Sequence, residues 1–147
     1  MKQRSLVRYL IPGMLVVGGL IHLLPLSGVL GSERLASLYG VSFSEPNLAI
    51  LMRHRAVLFG LLGVFLILAA FRPMLRTVAF LAGLISVVSF LWIAAAVDNY
   101  NEQIRRVVMA DVIAFVCLII GFALHLYVQS RSLQSAGRMS CKEALGK

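Results

Sequence analysis

Charged side chains are scarce in this chain. Only 14% of its 147 residues are Asp, Glu, Lys or Arg, against 60% hydrophobic. That balance leaves too little polar surface to hold a folded chain in water, and it excludes a soluble globular domain. Acidic residues are the scarcest: six Asp and Glu stand against fourteen Lys and Arg. The basic residues sit beside apolar runs and form no continuous basic face, so nucleic acid is excluded as a partner. Cysteine occurs twice, Cys117 inside an apolar run and Cys141 in a polar tail, with no CxxC. Those two positions exclude a structural disulfide, and the missing pair excludes thiol exchange by a CxxC motif. A Gly-rich phosphate loop, HExxH and GxSxG are also missing. The HxGH motif and soluble α/β pattern of phosphopantetheine adenylyltransferases are absent too, which rejects that activity.

What the chain does contain is four long apolar runs with short polar separations. Each crossing of a bilayer takes roughly 20 residues, so the expected fold is all-α: a polytopic, antiparallel bundle of four transmembrane helices over about 8–30, 46–71, 77–97 and 107–128. Residues 131–147 read as a flexible basic tail. The third run, Thr77 to Val97, carries no charge and is long enough to span. In the second, only about 16 residues after Arg53-His54-Arg55 are uncharged, so this triplet belongs near the membrane boundary. The first run has a basic start and small residues around Ser27 to Gly31, like a cleaved signal, but it is longer than a signal core and interrupted by His22.

The charges set an orientation. Lys2, Arg4, Arg8, Arg72, Arg76, Arg131, Arg138, Lys142 and Lys147 fall on one side with only Glu143 opposing them, while Arg34, Arg53, Arg55, Arg105 and Arg106 on the other are matched by Glu33, Glu45, Asp98, Glu102 and Asp111. The whole net charge of +8 thus lies on one side. Short basic loops resist translocation, so both termini are expected in the cytoplasm of a bacterial inner membrane, with 31–44 and 98–106 facing outward. Membrane lipids are the expected surroundings, and a protein partner or homo-oligomer stays open.

Polar groups inside the apolar runs are the candidate site, since they oppose insertion by about 2.5–3.5 kcal/mol at the bilayer centre. A turn of about 100° per residue places Arg53 with Ala56, Val57, Gly60 and Val64 on one face of the second helix, facing inward, and turns Arg55 toward headgroups. His22, Arg53, His54 and Asp111 all fall in the outward halves of their helices and form the expected ligand-binding set. Arg53 and Asp111 pair there either as a structural ion pair or as part of a ligand site. Asp111 and His125 share a face but lie roughly 21 Å apart along the helix, so they belong to different sites. His22 and His54 lack ligand spacing and read as packing residues, with no metal expected.

One stretch resembles a known family. Leu38-Tyr39-Gly40, Glu45-Pro46-Asn47 and the run from Leu51-Met52-Arg53-His54-Arg55 to Gly63 are similar to the second-helix region of the DoxX-like group of small bacterial membrane proteins. The resemblance implies a four-helix bundle with an outward loop before an Arg-bearing, Gly-rich helix, and carries Arg53 over as a polar anchor. Some members look like membrane subunits of quinone-linked sulfur oxidation or partners in redox-stress complexes. This chain has no thiol pair or quinone motif to support transferring that reaction. The leading expectation is therefore a non-enzymatic membrane bundle that binds a lipophilic or anionic molecule, or a protein partner, in an outward polar pocket. A quinone-presenting subunit of a redox complex is the alternative, and a transporter with helices broken at Pro12 and Pro25 is a weaker third.

Overall fold

The computed structural model describes residues 2–42, 45–97 and 99–145; Asp98 and Lys147, both counted above, lie outside them. Five α-helices follow one another: α1 (Lys2–Leu23), α2 (Ser32–Tyr39), α3 (Pro46–Phe71), α4 (Arg76–Ala96) and α5 (Glu102–Leu145), with 3₁₀ segments at Leu24–Leu30 and Pro73–Leu75. Among the described residues there is no strand. Tyr9–Leu30, Pro46–Phe71, Pro73–Ala96 and Glu102–Ser132 are long and apolar enough to cross a membrane. This is a multi-pass helical membrane protein. Connections at alternating ends make the crossings antiparallel. The start of α1, the end of α5 and the Pro73–Leu75 turn share one end of the bundle, here the terminal end, and α2 covers the other.

Element boundaries follow from local chemistry. α1 tolerates Pro12 in its interior, as helices packed in lipid do, but ends at Leu23, where Pro25 disfavours further α geometry and the chain tightens into 3₁₀ turns. α3 starts on an N-cap: the Glu45 carboxylate accepts from the backbone N–H groups of Asn47 at 3.0 Å and Leu48 at 2.6 Å, with Pro46 in the first turn. It stops before Arg72-Pro73. α5 begins at Glu102, earlier than the apolar run, because Glu102 sits favourably in its first turn and pairs with Arg105 at 2.8 Å and Arg106 at 3.8 Å. The segment 131–147, read above as a tail, is helical up to Leu145 and continuous with the fourth crossing. No proline interrupts it.

The inside-out distribution of residues fits lipid as the solvent. Trp92, Ile85, Leu61 and Leu58 are exposed, while His22 and Asp111 are buried. Burying apolar surface gains little against lipid tails, so close backbone approach holds the bundle together. The tightest approach joins α1 to α3. A Cβ on Gly63 would lie 2.7 Å from the Gly19 carbonyl oxygen, and a Cβ on Gly19 would lie 2.8 Å from that of Gly63. Ile11, Leu15, Leu66, Ala79, Phe80, Val87, Ala114 and Leu118 continue the core between the four crossings.

α2 caps this core as a short amphipathic helix. Leu35 and Tyr39 are buried against Met52, Ile104 and Val107, while Glu33 and Arg34 are exposed. Asn101 ties it down from two directions. Its side-chain amide donates to the Tyr39 carbonyl at 2.7 Å, and its side-chain oxygen accepts from the Ile104 N–H at 2.9 Å, capping α5. α2 ends in a left-handed Gly40, φ 65°, whose N–H donates to the Ala36 carbonyl. A Cβ there would meet the Gln103 side chain at 2.7 Å.

Candidate functional site

A cavity of about 430 Å³ opens at the α2 end. Its apolar walls come from Ile21 of α1, Leu24 and Pro25 of the 3₁₀ segment that follows it, Leu38 of α2, Phe59 of α3, and Val107 and Ala110 of α5. Polar groups gather on the same lining: Arg55, Arg106 and Asp111, with Tyr39, Gln103, Ser27 and Ser37. The cavity lies where α1 gives way to the 3₁₀ segment, between the ends of α3 and α5 and beside α2. A wider, open furrow of about 600 Å³ runs along the outer face of α4, lined by Leu84, Ile85, Val88, Ser89, Trp92 and Ile93. It holds no charged group and belongs to the lipid-facing surface.

Arg55 is the organising cation. Its guanidinium carbon lies 5.1 Å from the centroid of the Phe59 ring, 5.5 Å from that of Phe90 and 5.7 Å from that of Tyr39. Rings from α2, α3 and α4 thus hold one side chain by cation–π attraction. Asp111, on the facing wall, is only 6% exposed. Among the described residues no hydrogen bond or ion pair within 4 Å reaches its carboxylate, although the Arg55 charge acts on it through space. Tyr39 feels both. Burial pushes its phenol above the usual value, Arg55 opposes that rise, and Asp111 adds to it.

The expected set His22, Arg53, His54 and Asp111 is not assembled as one site. Asp111 alone lines the cavity. Arg53 is exposed, with Val57 and Val64 exposed beneath it, and its Nε donates to the Val29 carbonyl at 3.2 Å. It does share the Gly60 side of α3, but at that level the neighbour is the 3₁₀ segment Leu24–Leu30, so the side chain meets a backbone carbonyl instead of a pocket. His54 is exposed. No Arg53–Asp111 ion pair forms; the ion pairs among the described residues join Glu102 to Arg105 and Arg106. Arg55, expected among headgroups, turns inward instead because Phe59 one turn below and Tyr39 and Phe90 from neighbouring helices give it an aromatic lining. Only the positions of α2 and α4 supply that lining, and nothing in the order of residues signals it.

His22 is fully buried behind the cavity wall, stacked on Phe59 with ring centroids 5.6 Å apart. The Gly18 carbonyl can only accept, so Nδ1 carries the proton and donates to it at 2.8 Å. Nε2 then accepts from the Ser86 hydroxyl at 3.3 Å. This joins α1 to α4 and leaves no ring nitrogen for a ligand. At the terminal end, His125 Nε2 lies 3.0 Å from the Thr77 hydroxyl, and Arg76 donates to the Ala70 carbonyl at 2.8 Å, closing the last turn of α3. Among the described residues no three His, Cys, Asp or Glu side chains group to hold a metal, and Cys117 is a free, half-buried thiol.

The cavity can bind an acceptor-bearing polar group at two guanidiniums and an apolar group along its walls. Family models, curated proteins and solved structures offer no match to this chain.

Proposed function

We propose that this is a ligand-binding protein of a bacterial inner membrane, with both termini cytoplasmic, whose outward-facing cavity captures an amphipathic molecule carrying an anionic group. The observation that supports the reading best is the pairing of Arg55 and Arg106 with an apolar lining in one cavity. A guanidinium presents a rigid donor fork matched to carboxylate or phosphate, and Arg55 is positioned for this in advance by three rings. The apolar walls suit the hydrocarbon part of the same molecule. The excess of Lys and Arg at the terminal end supports the orientation, and the resemblance of Leu38–Gly63 to the DoxX-like group belongs to the same proposal.

Native mass spectrometry from mild detergent, followed by titration with a short-chain phosphatidate and with uncharged dihexanoylglycerol, tests it. The charged amphiphile binds more tightly than the uncharged one, and Arg55→Gln removes the difference while Arg53→Gln leaves it. Equal capture by folded Arg55→Gln protein overturns the assignment. Retained quinone, with no preference for charge, would transfer it to the quinone-linked redox reading.

A further inference from the structure

The cavity holds an unpaired negative group as well as two positive ones, and a simple anion leaves that group unsatisfied. Asp111 is 6% exposed and lines the cavity, yet among the described residues no donor lies within hydrogen-bonding range of its carboxylate. A second anion placed beside that carboxylate in the cavity without a compensating cation adds repulsion. Arg55 cannot satisfy it at contact distance while it is held among Tyr39, Phe59 and Phe90. Arg106, at the rim, is shared with Glu102 at 3.8 Å. What the lining lacks is a cationic donor facing Asp111. What it offers is two guanidinium forks in the same cavity, Arg106 on α5 with Asp111 and Arg55 on α3 opposite.

We infer that the ligand is a zwitterionic amphiphile, with a primary ammonium on Asp111, a phosphate on Arg55 and Arg106, and its hydrocarbon along Ile21, Leu24 and Phe59. This rests on the reading of the cavity as a site for an amphipathic anion and specifies its head group. A volume of about 430 Å³ corresponds to roughly fourteen waters at about 30 Å³ each, room for an ethanolamine phosphate head with the start of its chains. A choline head carries the same charges but no N–H. It therefore satisfies the Coulomb requirement of Asp111 without the hydrogen bond.

The test uses the purified full chain in mild detergent, titrated calorimetrically with three dihexanoyl phospholipids that share their tails and differ in head group: ethanolamine, choline and phosphatidate. Ethanolamine is expected to bind about tenfold or more tightly than either of the others, the value of one hydrogen bond between charged groups. Asp111→Asn abolishes that preference and brings phosphatidate level with or above ethanolamine. Should Asp111→Asn fail to fold, the ranking by the unaltered protein decides alone. Equal affinity for choline or phosphatidate in that protein overturns the zwitterion assignment, and if binding still depends on Arg55, the amphiphile-binding reading survives. If none of the three binds in an Arg55-dependent way, both fall.

Discussion

Replacing Gly63 by Ala places a methyl group where the α1–α3 crossing has no room. The new Cβ would lie 2.7 Å from the Gly19 carbonyl oxygen, 2.9 Å from Leu23 Cγ and 3.1 Å from Leu23 Cδ2. Leu23 can rotate, but the carbonyl belongs to a helix backbone, so α1 and α3 must separate. Overpacking of this kind costs about 1–3 kcal/mol, while Ala returns up to about 1 kcal/mol in helix propensity. Gly13→Ala isolates the second effect, since a Cβ on Gly13 meets nothing within 4 Å. The difference between the two variants is therefore the crossing alone, about 1–3 kcal/mol in favour of Gly13→Ala. At about 3 °C per kcal/mol for a chain of this size, thermal unfolding in detergent followed by circular dichroism should separate them by several degrees. Gly63→Val, with a branched Cβ, should fall further. If Gly63→Ala and Gly13→Ala melt together, the helix backbones do not touch at this point and the packing argument fails.

Two pH experiments probe the α2 end. The Tyr39 phenol titrates above the ordinary tyrosine value because of burial, so the folded state holds its proton more tightly than the unfolded state. Its contribution to stability is complete below about pH 10 and is lost as pH rises through the folded value. A site-resolved NMR titration should show Arg55→Gln moving Tyr39 further up and Asp111→Asn moving it down; a shift of the opposite sign in either variant refutes the arrangement. Glu45 titrates below the ordinary carboxylate value because it accepts from the Asn47 and Leu48 N–H groups. Its capping of α3 is present above the unfolded carboxylate value and is lost as pH falls through the lower, folded one. Hydrogen exchange at the first turn of α3 should accelerate over that acid window, and Glu45→Gln protein should lack most of the pH dependence.

The bundle was legible because lipid writes its demand along the chain. A backbone cut off from water must satisfy its own hydrogen bonds, and that forces each apolar run of sufficient length into a helix. The start of α3 at Pro46 was legible for a local reason as well, since a capping carboxylate and a proline stand side by side in the sequence. Other features were hidden. Residues 32–39 carry too little apolar length to announce a helix, and α2 is amphipathic only with respect to a surface that the other helices create. The arginine of α3 that lines the cavity is Arg55, two residues beyond the one that helical phase turns inward. Helical phase alone sets Arg53 on the Gly60 side, and that side proved to meet a 3₁₀ carbonyl at the level of Val29.

Membership of the membrane, the number of crossings and the asymmetry of charge are one-dimensional properties, decided by how many apolar residues follow one another and which polar ones flank them. Which polar groups face one another is decided only by the packed structure. Arg55 is drawn inward by rings from three separate helices, and Asp111 lines a cavity whose other walls come from α1, α2 and α3. Those causes act across space between residues far apart in the chain, so no reading of a single helix contains them.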